Sequence, residues 1–411
     1  MADVVDADSH VYEPAAVWDR VRDAERERAR SAFCSEIGDD GVQRVTLNGQ
    51  PGKPLNRHAL VRQAIWQPGM TVDDIGALDP DAARPLNPGA SEAAPRLADM
   101  DALGIARAVV YPTLFLEYLP LVEDADAAAA LARAYNDWVL DLCAAGDGRL
   151  HPVALLPLQQ PELALAELER VGASGFVGAL MRPAFYDLEQ PEVFGGMFAM
   201  MQAGAEVRAV FIEDKPYRPV WQRIDELGMV ACVHPSANVA GPDRVSSGGF
   251  TERVSERVGV QHSVGEPIAY MQDADLFMTA AFFHGLFEDL PTLKVAITHA
   301  GTTWLPLALE KCETYLWLGM GGSDVCLEPE EVWEAQPAIT TFDSWETPVA
   351  RMADRIGDKA AWGSRYPHHD AGTPADAIAM LERYGVDRAT TDRLMGGHAA
   401  DLFGLKAGAA V

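Results

Sequence analysis

ARAVVYPT (106–113), DADAAAALARAYNDWVLDLCAA (124–145), RLHPVALLPL (149–158), PELALAELERVGA (161–173) and GFVGALMRP (175–183) follow one another along the chain. The first, third and fifth are short apolar runs rich in Val and Leu that end on polar residues. The second and fourth carry apolar residues at three- and four-residue spacing, the period of an amphipathic helix. Strand and helix patterns that alternate in this way imply parallel strands joined by crossover helices. The same rhythm extends outward to VVDAD near residue 4, GMVACVHPSAN (228–238), LKVAITHAG (293–301), PAITTF (337–342) and AAWGSRYP (360–367). These make eight strand-like runs, and eight such units close into a (β/α)₈ TIM barrel. An open doubly wound sheet is the rival, but no Gly-rich phosphate loop follows the first strand, so no nucleotide cofactor is expected.

A single domain over residues 1–411 is expected, with two stretches that break the rhythm. Residues 38–95 are rich in Pro, Gly and Asp and read as a lid-like insertion after the first strand. A second insertion, 184–218, separates the fourth strand from its helix. Long excursions within a compact domain are often functional. The run DADLFMTAAFFHGLFED (273–289) carries a dense apolar set, suited to packing on the barrel or on a second copy in a homodimer.

Composition excludes several classes. With 61 Asp and Glu against 33 Lys and Arg, the formal charge of −28 repels phosphate backbones and anionic membranes, so neither nucleic acid nor membrane is an expected partner. The five cysteines are widely spaced and odd in number, which indicates neither a disulfide framework nor a thiolate zinc site. Cys232, inside MVACVH, reads as a core residue rather than a nucleophile. The opening MADVVDADSHVYEP has charges where a signal peptide needs an apolar stretch, and a cytoplasmic, reduced protein is the expectation.

In a barrel of this kind the reacting groups sit just past the strand ends. Those ends carry Asp8 and His10, Arg182, His234, His299, and the cluster Arg365, Tyr366, His368, His369 and Asp370. Carboxylates and imidazoles gathered from separate strands suit a borderline divalent metal such as zinc or manganese. Asp8 and His10 are two apart and share one strand face. Each also has a plain reading: Asp8 as a turn residue, His234 and His299 as satisfied buried histidines, Arg182 as a rim residue paired with an acidic neighbour. His58, His151, His262 and His284 sit in loop-like or helical contexts and carry no catalytic expectation.

DADSHVYEP, RLADMDALGIARAVVYPT, VHPSAN, FEDLPTLKVAITHAGTTWLP, WGSRYPHHD and LMGGHAADLFGL occur in the order found in the amidohydrolase-2 family, which the chain resembles. This branch of the amidohydrolase superfamily includes aminocarboxymuconate-semialdehyde and resorcylate decarboxylases. The resemblance implies a metal held by Asp8, His10 and His234, with His299 as the acid–base or substrate-contacting residue. It implies a lyase or hydrolase acting on a small, anionic, carboxylated or cyclic molecule; from the strand-end reading, Arg182 and His368 are the expected substrate contacts. One departure stands out. Where the family's strand-eight motif runs Gly-Ser-Asp-Tyr-Pro-His, this chain has Gly363-Ser364-Arg365-Tyr366-Pro367-His368. A guanidinium offers no lone pair and cannot bind a metal. A smaller departure is His398, where the family usually has Asn.

Three arrangements stay open at this level. Arg365 swings out and the metal remains; or Arg365 replaces the metal, pairs with Asp8 and serves a metal-free lyase, cyclase or isomerase; or the barrel is a binding scaffold. The first needs His299 or Asp370 to reach the site as a base, and the second predicts an Arg365–Asp8 ion pair.

Overall fold

The computed structural model describes residues 3–38, 42–51, 64–78, 85–183, 216–236, 266–319 and 328–405. All eight expected strands form: β1 (Val4–His10), β2 (Ile105–Tyr111), β3 (Leu150–Ala154), β4 (Gly178–Met181), β5 (Val230–Val233), β6 (Lys294–Ile297), β7 (Ala338–Phe342) and β8 (Ala360–Trp362). They stand in chain order in one sheet whose successive pairs are parallel. The first and last strands meet just beyond β8. Arg365 N donates to Asp8 O at 2.9 Å and His10 N to Tyr366 O at 2.6 Å. Asp6 adds a side-chain clasp there, accepting from Ser364 N at 2.8 Å and from the Ser364 hydroxyl. The sheet is thereby a TIM barrel, as the alternating pattern predicts.

Helices on the outside cover the strands on one face while the barrel interior covers the other, so strand residues are buried whichever way they point. All seven residues of β1 are buried, four of them polar: Asp6, Asp8, Ser9 and His10. Buried polar groups of this kind must find partners, and that requirement organises the mouth of the barrel. The helices that bear on the site are α1 (Ala93–Leu103), α2 (Ala125–Ala144), α3 (Pro161–Val171) and α4 (Glu266–Phe283). The dense apolar run 273–289 is divided between two helices: α4 ends at Phe283, Gly285 takes φ 64°, and a short turn of helix covers Leu286–Asp289. One apolar side of α4 is core (Phe277, Met278, Ala281, Phe282), while Ile268, Met271 and Leu276 are exposed.

An antiparallel sheet straddles the start of the 38–95 insertion, with Phe33–Ile37 ahead of it and Gln43–Leu47 and Gln50–Pro51 within it. Further along, Trp66 N donates to Pro367 O at 3.1 Å and its ring sets edge-on to Tyr366, so this part of the excursion lies against the β8 loop. Residues 184–215 of the second insertion lie outside the described residues. Cys34, Cys143, Cys232 and Cys312 are buried free thiols.

Candidate active site

β1, β5 and β6 deliver four side chains to one point. The register of β1 against β2 shifts between Asp6 and Ser9, an irregularity of the kind that re-aims strand side chains. Asp8, His10, His234 and His299 are all buried, and one donor atom from each lies within 4.8 Å of the others. Asp8 Oδ1 is 3.2 Å from His10 Nε2 and 3.5 Å from His234 Nε2; Asp8 Oδ2 is 3.5 Å from His299 Nδ1.

The outward nitrogens decide the tautomers. His10 Nδ1 lies 2.9 Å from Pro112 O, and His234 Nδ1 lies 2.6 Å from Pro235 O. A carbonyl only accepts, so each Nδ1 carries the proton and each Nε2 keeps its lone pair. Those two Nε2 atoms face each other at 3.2 Å. Asp8 Oδ1 and His299 Nδ1 are buried with no hydrogen-bond partner. Burial lowers His234, and burial together with the Arg365 charge lowers His299 to about 3. One anion and neutral imidazoles with inward lone pairs and orphaned donor atoms form a set that fits a divalent cation.

Arg365 is not part of that set. It takes a left-handed φ of 58°, which turns its side chain aside. Its Nε lies 3.0 Å from Asp343 Oδ1 and its Nη2 donates to Asp343 Oδ2 at 3.1 Å, a bidentate fork, while Nη1 donates to Asp370. The expected Arg365–Asp8 ion pair is therefore not the one formed; Asp8 faces the three histidines instead. Asp370, the other candidate base, ion-pairs with Arg365. Burial would raise it, but Arg365 and His369 keep it below the ordinary carboxylate range, so it is Arg365's counterion. Burial pushes Asp343 up to about 7 against the pull of Arg365. Asp343 escaped the sequence reading, although the rule that found the others, the first polar residue past a strand, reaches it in TTFD.

Several further residues hold the constellation. Arg96, on α1, donates to His10 O at 2.6 Å and to Ser9 Oγ at 2.7 Å and stacks 4.3 Å above the Tyr366 ring. Glu13 accepts from the backbone N–H groups of Thr113, Leu114 and Phe115, tying the β1 loop to the β2 loop. Glu346 accepts from Thr302 N and Oγ1, both at 2.9 Å, fixing the turn that follows His299. His299 has φ 64°, with its N–H donated to Thr341 Oγ1 at 2.9 Å. His368 stacks on His10 with ring centroids 4.4 Å apart, and its Nε2 meets Thr113 Oγ1 at 3.0 Å. Tyr270 of α4 meets the His299 ring edge-on at 4.5 Å. Arg182 is buried at the end of β4. His398 bonds Ala360 O through Nδ1 at 2.8 Å and braces β8 away from the cluster.

An eight-stranded parallel barrel with one carboxylate and three imidazoles at its carboxyl-end mouth is the architecture of a barrel hydrolase or lyase with a metal-type centre. The chain belongs to the amidohydrolase family, whose model matches residues 5–405. It is 27% identical over 207 residues to a gamma-resorcylate decarboxylase of Rhizobium sp. (strain MTP-10005), covering 50% of this chain and 54% of that one. The match thus spans about half of that relative's length. A solved amidohydrolase from Mycobacterium avium subsp. paratuberculosis K-10 superposes with a TM-score of 0.74 at 21% identity, covering 99% of both chains. A dihydroxybenzoic acid decarboxylase from Polaromonas sp. JS666, with bound manganese and the inhibitor 2-nitroresorcinol, gives a TM-score of 0.60 at 18% identity, covering 98% of both chains. At these identities the two structures speak to the fold. Among the described residues no helix is long and apolar enough to cross a membrane.

Proposed function

We propose that this chain is a metal-assisted carboxy-lyase acting on a small carboxylated aromatic molecule. One observation supports it above the rest: the Nε2 atoms of His10 and His234, 3.2 Å apart, both turn lone pairs toward the Asp8 carboxylate. Two lone pairs held face to face repel unless a cation stands between them. Asp8, His10 and His234 would hold manganese or zinc, with His299 beside them. When bound, such an ion supplies Lewis-acid polarisation of substrate oxygens.

The rest of the work falls to the chain. The bond between ring carbon and carboxylate breaks, carbon dioxide leaves, and the electron pair stays on the ring carbon, which must take up a proton. His299 is the group assigned to move that proton, since it lies inside the cluster and its turn is fixed by Thr341 and by the Glu346–Thr302 contacts. His368, stacked on His10, would border the substrate. Arg365 is engaged by Asp343 and Asp370, which takes it out of competition with the ion for Asp8.

The test is metal content of the purified protein after dialysis without chelator, followed by carbon dioxide release from 2,6-dihydroxybenzoate and related phenolic acids. About one manganese or zinc per chain, with release lost in His299→Asn, is expected. Metal far below one per chain that does not rise on adding either ion would sink the proposal.

A further inference from the structure

Arg365 stands where strand parity aims a side chain at Asp8. Gly363 and Arg365 are two apart just beyond β8, and alternate residues of an extended chain share a face. A Cβ placed on Gly363 would lie 2.6 Å from the Asp8 Cβ, and Arg365 N donates to Asp8 O at 2.9 Å. Carried on in the extended conformation, the chain would bring the guanidinium to the Asp8 carboxylate, and opposite charges attract strongly where water is excluded. The left-handed φ of 58° is what diverts it to Asp343 and Asp370 instead. That backbone region is unfavourable for a residue with a side chain, and it persists only where neighbouring contacts hold it.

The holding contacts fall on the next residue. Tyr366 is buried, its N–H donates to Ser364 Oγ at 2.8 Å and its carbonyl accepts from His10 N. Its hydroxyl donates to Asp99 of α1 and accepts from Asn87 Nδ2 at 2.8 Å, while Arg96 lies over the ring. Asn87 belongs to the 38–95 insertion. Its Nδ2 also lies 2.8 Å from Trp66 O, and Trp66 N reaches back to Pro367 O. Gly89, two residues on, packs so closely that a Cβ there would lie 2.2 Å from the Tyr366 hydroxyl. The insertion and α1 thus grip the phenol at its tip, one residue from the left-handed turn.

We propose that Asn87 and Asp99, acting through the Tyr366 hydroxyl, form a latch that keeps Arg365 turned away from Asp8 and so keeps the cation position open. The inference rests on the metal-centre reading above. Arg365 and a divalent ion are rivals for one carboxylate, since a guanidinium is always charged and repels a cation placed beside it. With the hydroxyl gripped, Arg365 stays with Asp343 and Asp370. With the grip released, nothing at Tyr366 opposes the return of Arg365 to strand parity, and its pair with Asp8 displaces the ion. Asn87, Asp99 and Tyr366 are positioning residues, because they act on the centre through Arg365.

Manganese affinity by competition titration, with circular dichroism to check the fold, tests the latch in wild type, Tyr366→Phe, Arg365→Met and the double variant. Tyr366→Phe keeps the ring under Arg96 and deletes only the hydroxyl. It should weaken manganese binding on the order of tenfold when Arg365 is present. In the Arg365→Met background no rival cation remains, and the same change should cost less than about twofold. An equal loss in both backgrounds overturns the latch, since the hydroxyl would then support the site whatever stands at position 365. No loss in the presence of Arg365 overturns it too. Gly89→Ala crowds the same hydroxyl from the insertion side and should reproduce the pattern, so the answer does not hang on Tyr366→Phe folding. Failure of wild type itself to bind manganese or zinc would instead count against the metal-centre reading, and the inference falls with it.

Discussion

Arg365 occupies the position where the amidohydrolase-2 motif has a ligand carboxylate, a change of two charge units at the lip of a buried site. The chain absorbs it locally. A left-handed backbone turns the side chain away from Asp8, and Asp343 grips it in a fork while Asp370 takes its remaining amino group. Burial would lower the guanidinium, yet these two carboxylates raise it above its ordinary range, so the charge is permanent. Removing one member of a buried pair strands the others. Arg365→Met should therefore cost about 3 kcal/mol in urea unfolding, because Asp343 and Asp370 are left side by side. Adding Asp343→Asn should recover part of the loss. A single variant as stable as wild type would show that the triad carries no such tension. The identity of Arg365 was legible in the sequence, since its neighbours fix the alignment. Its direction was not, because a positive φ at a strand end depends on partners 5 and 22 residues away in Asp370 and Asp343.

At the scale of elements, what could be read were the things governed by period. Eight apolar runs became eight strands, and α2 and α3 formed within residues read as helical, because alternation and 3.6-residue spacing report burial directly. The ends of those strands yielded Asp8, His10, His234 and His299, since a fixed strand parity points them at one axis. What escaped were contacts between elements. Arg96 lies 86 residues from His10, and Glu346 lies 44 from Thr302, distances over which no local pattern operates. Arg96 shows what such a contact does. It reaches from α1 to β1 and fixes the carbonyl of a candidate ligand, which makes it a positioning residue for the centre. Lys in its place keeps the charge but lacks the fork needed for Ser9 and His10 together. Arg96→Lys should weaken manganese binding by roughly 10- to 100-fold, as supporting contacts around ligands commonly do. Competition titration reads the affinity and circular dichroism checks that the fold is kept. Unchanged affinity in a folded variant would mean that α1 only packs against β1.

For the molecule as a whole, two electrostatic effects oppose each other on acidification. A net charge of −28 and an isoelectric point near 4.6 mean that lowering the pH relieves repulsion across the surface. Histidines kept neutral by burial work the other way. His151, on β3 and remote from the mouth, isolates that term. Burial and the nearby Arg107 charge lower it to about 4 from an ordinary 6.5, and its Nε2 has no partner. The unfolded chain therefore takes up the proton first as pH falls, so the contribution to stability is complete above 6.5 and is lost between there and about 4. At roughly 1.4 kcal/mol per tenfold in proton affinity, that window is worth up to about 3 kcal/mol, and about half as much after allowing for the partial exposure of the ring. His151→Gln carries no titrating group, so its urea midpoint should fall less than that of wild type between pH 7 and 4.5. The gap should persist in added salt, which screens the surface charges while leaving a buried imidazole little affected. Parallel stability profiles for the two proteins would show that His151 meets the proton as freely in the barrel as in the unfolded chain.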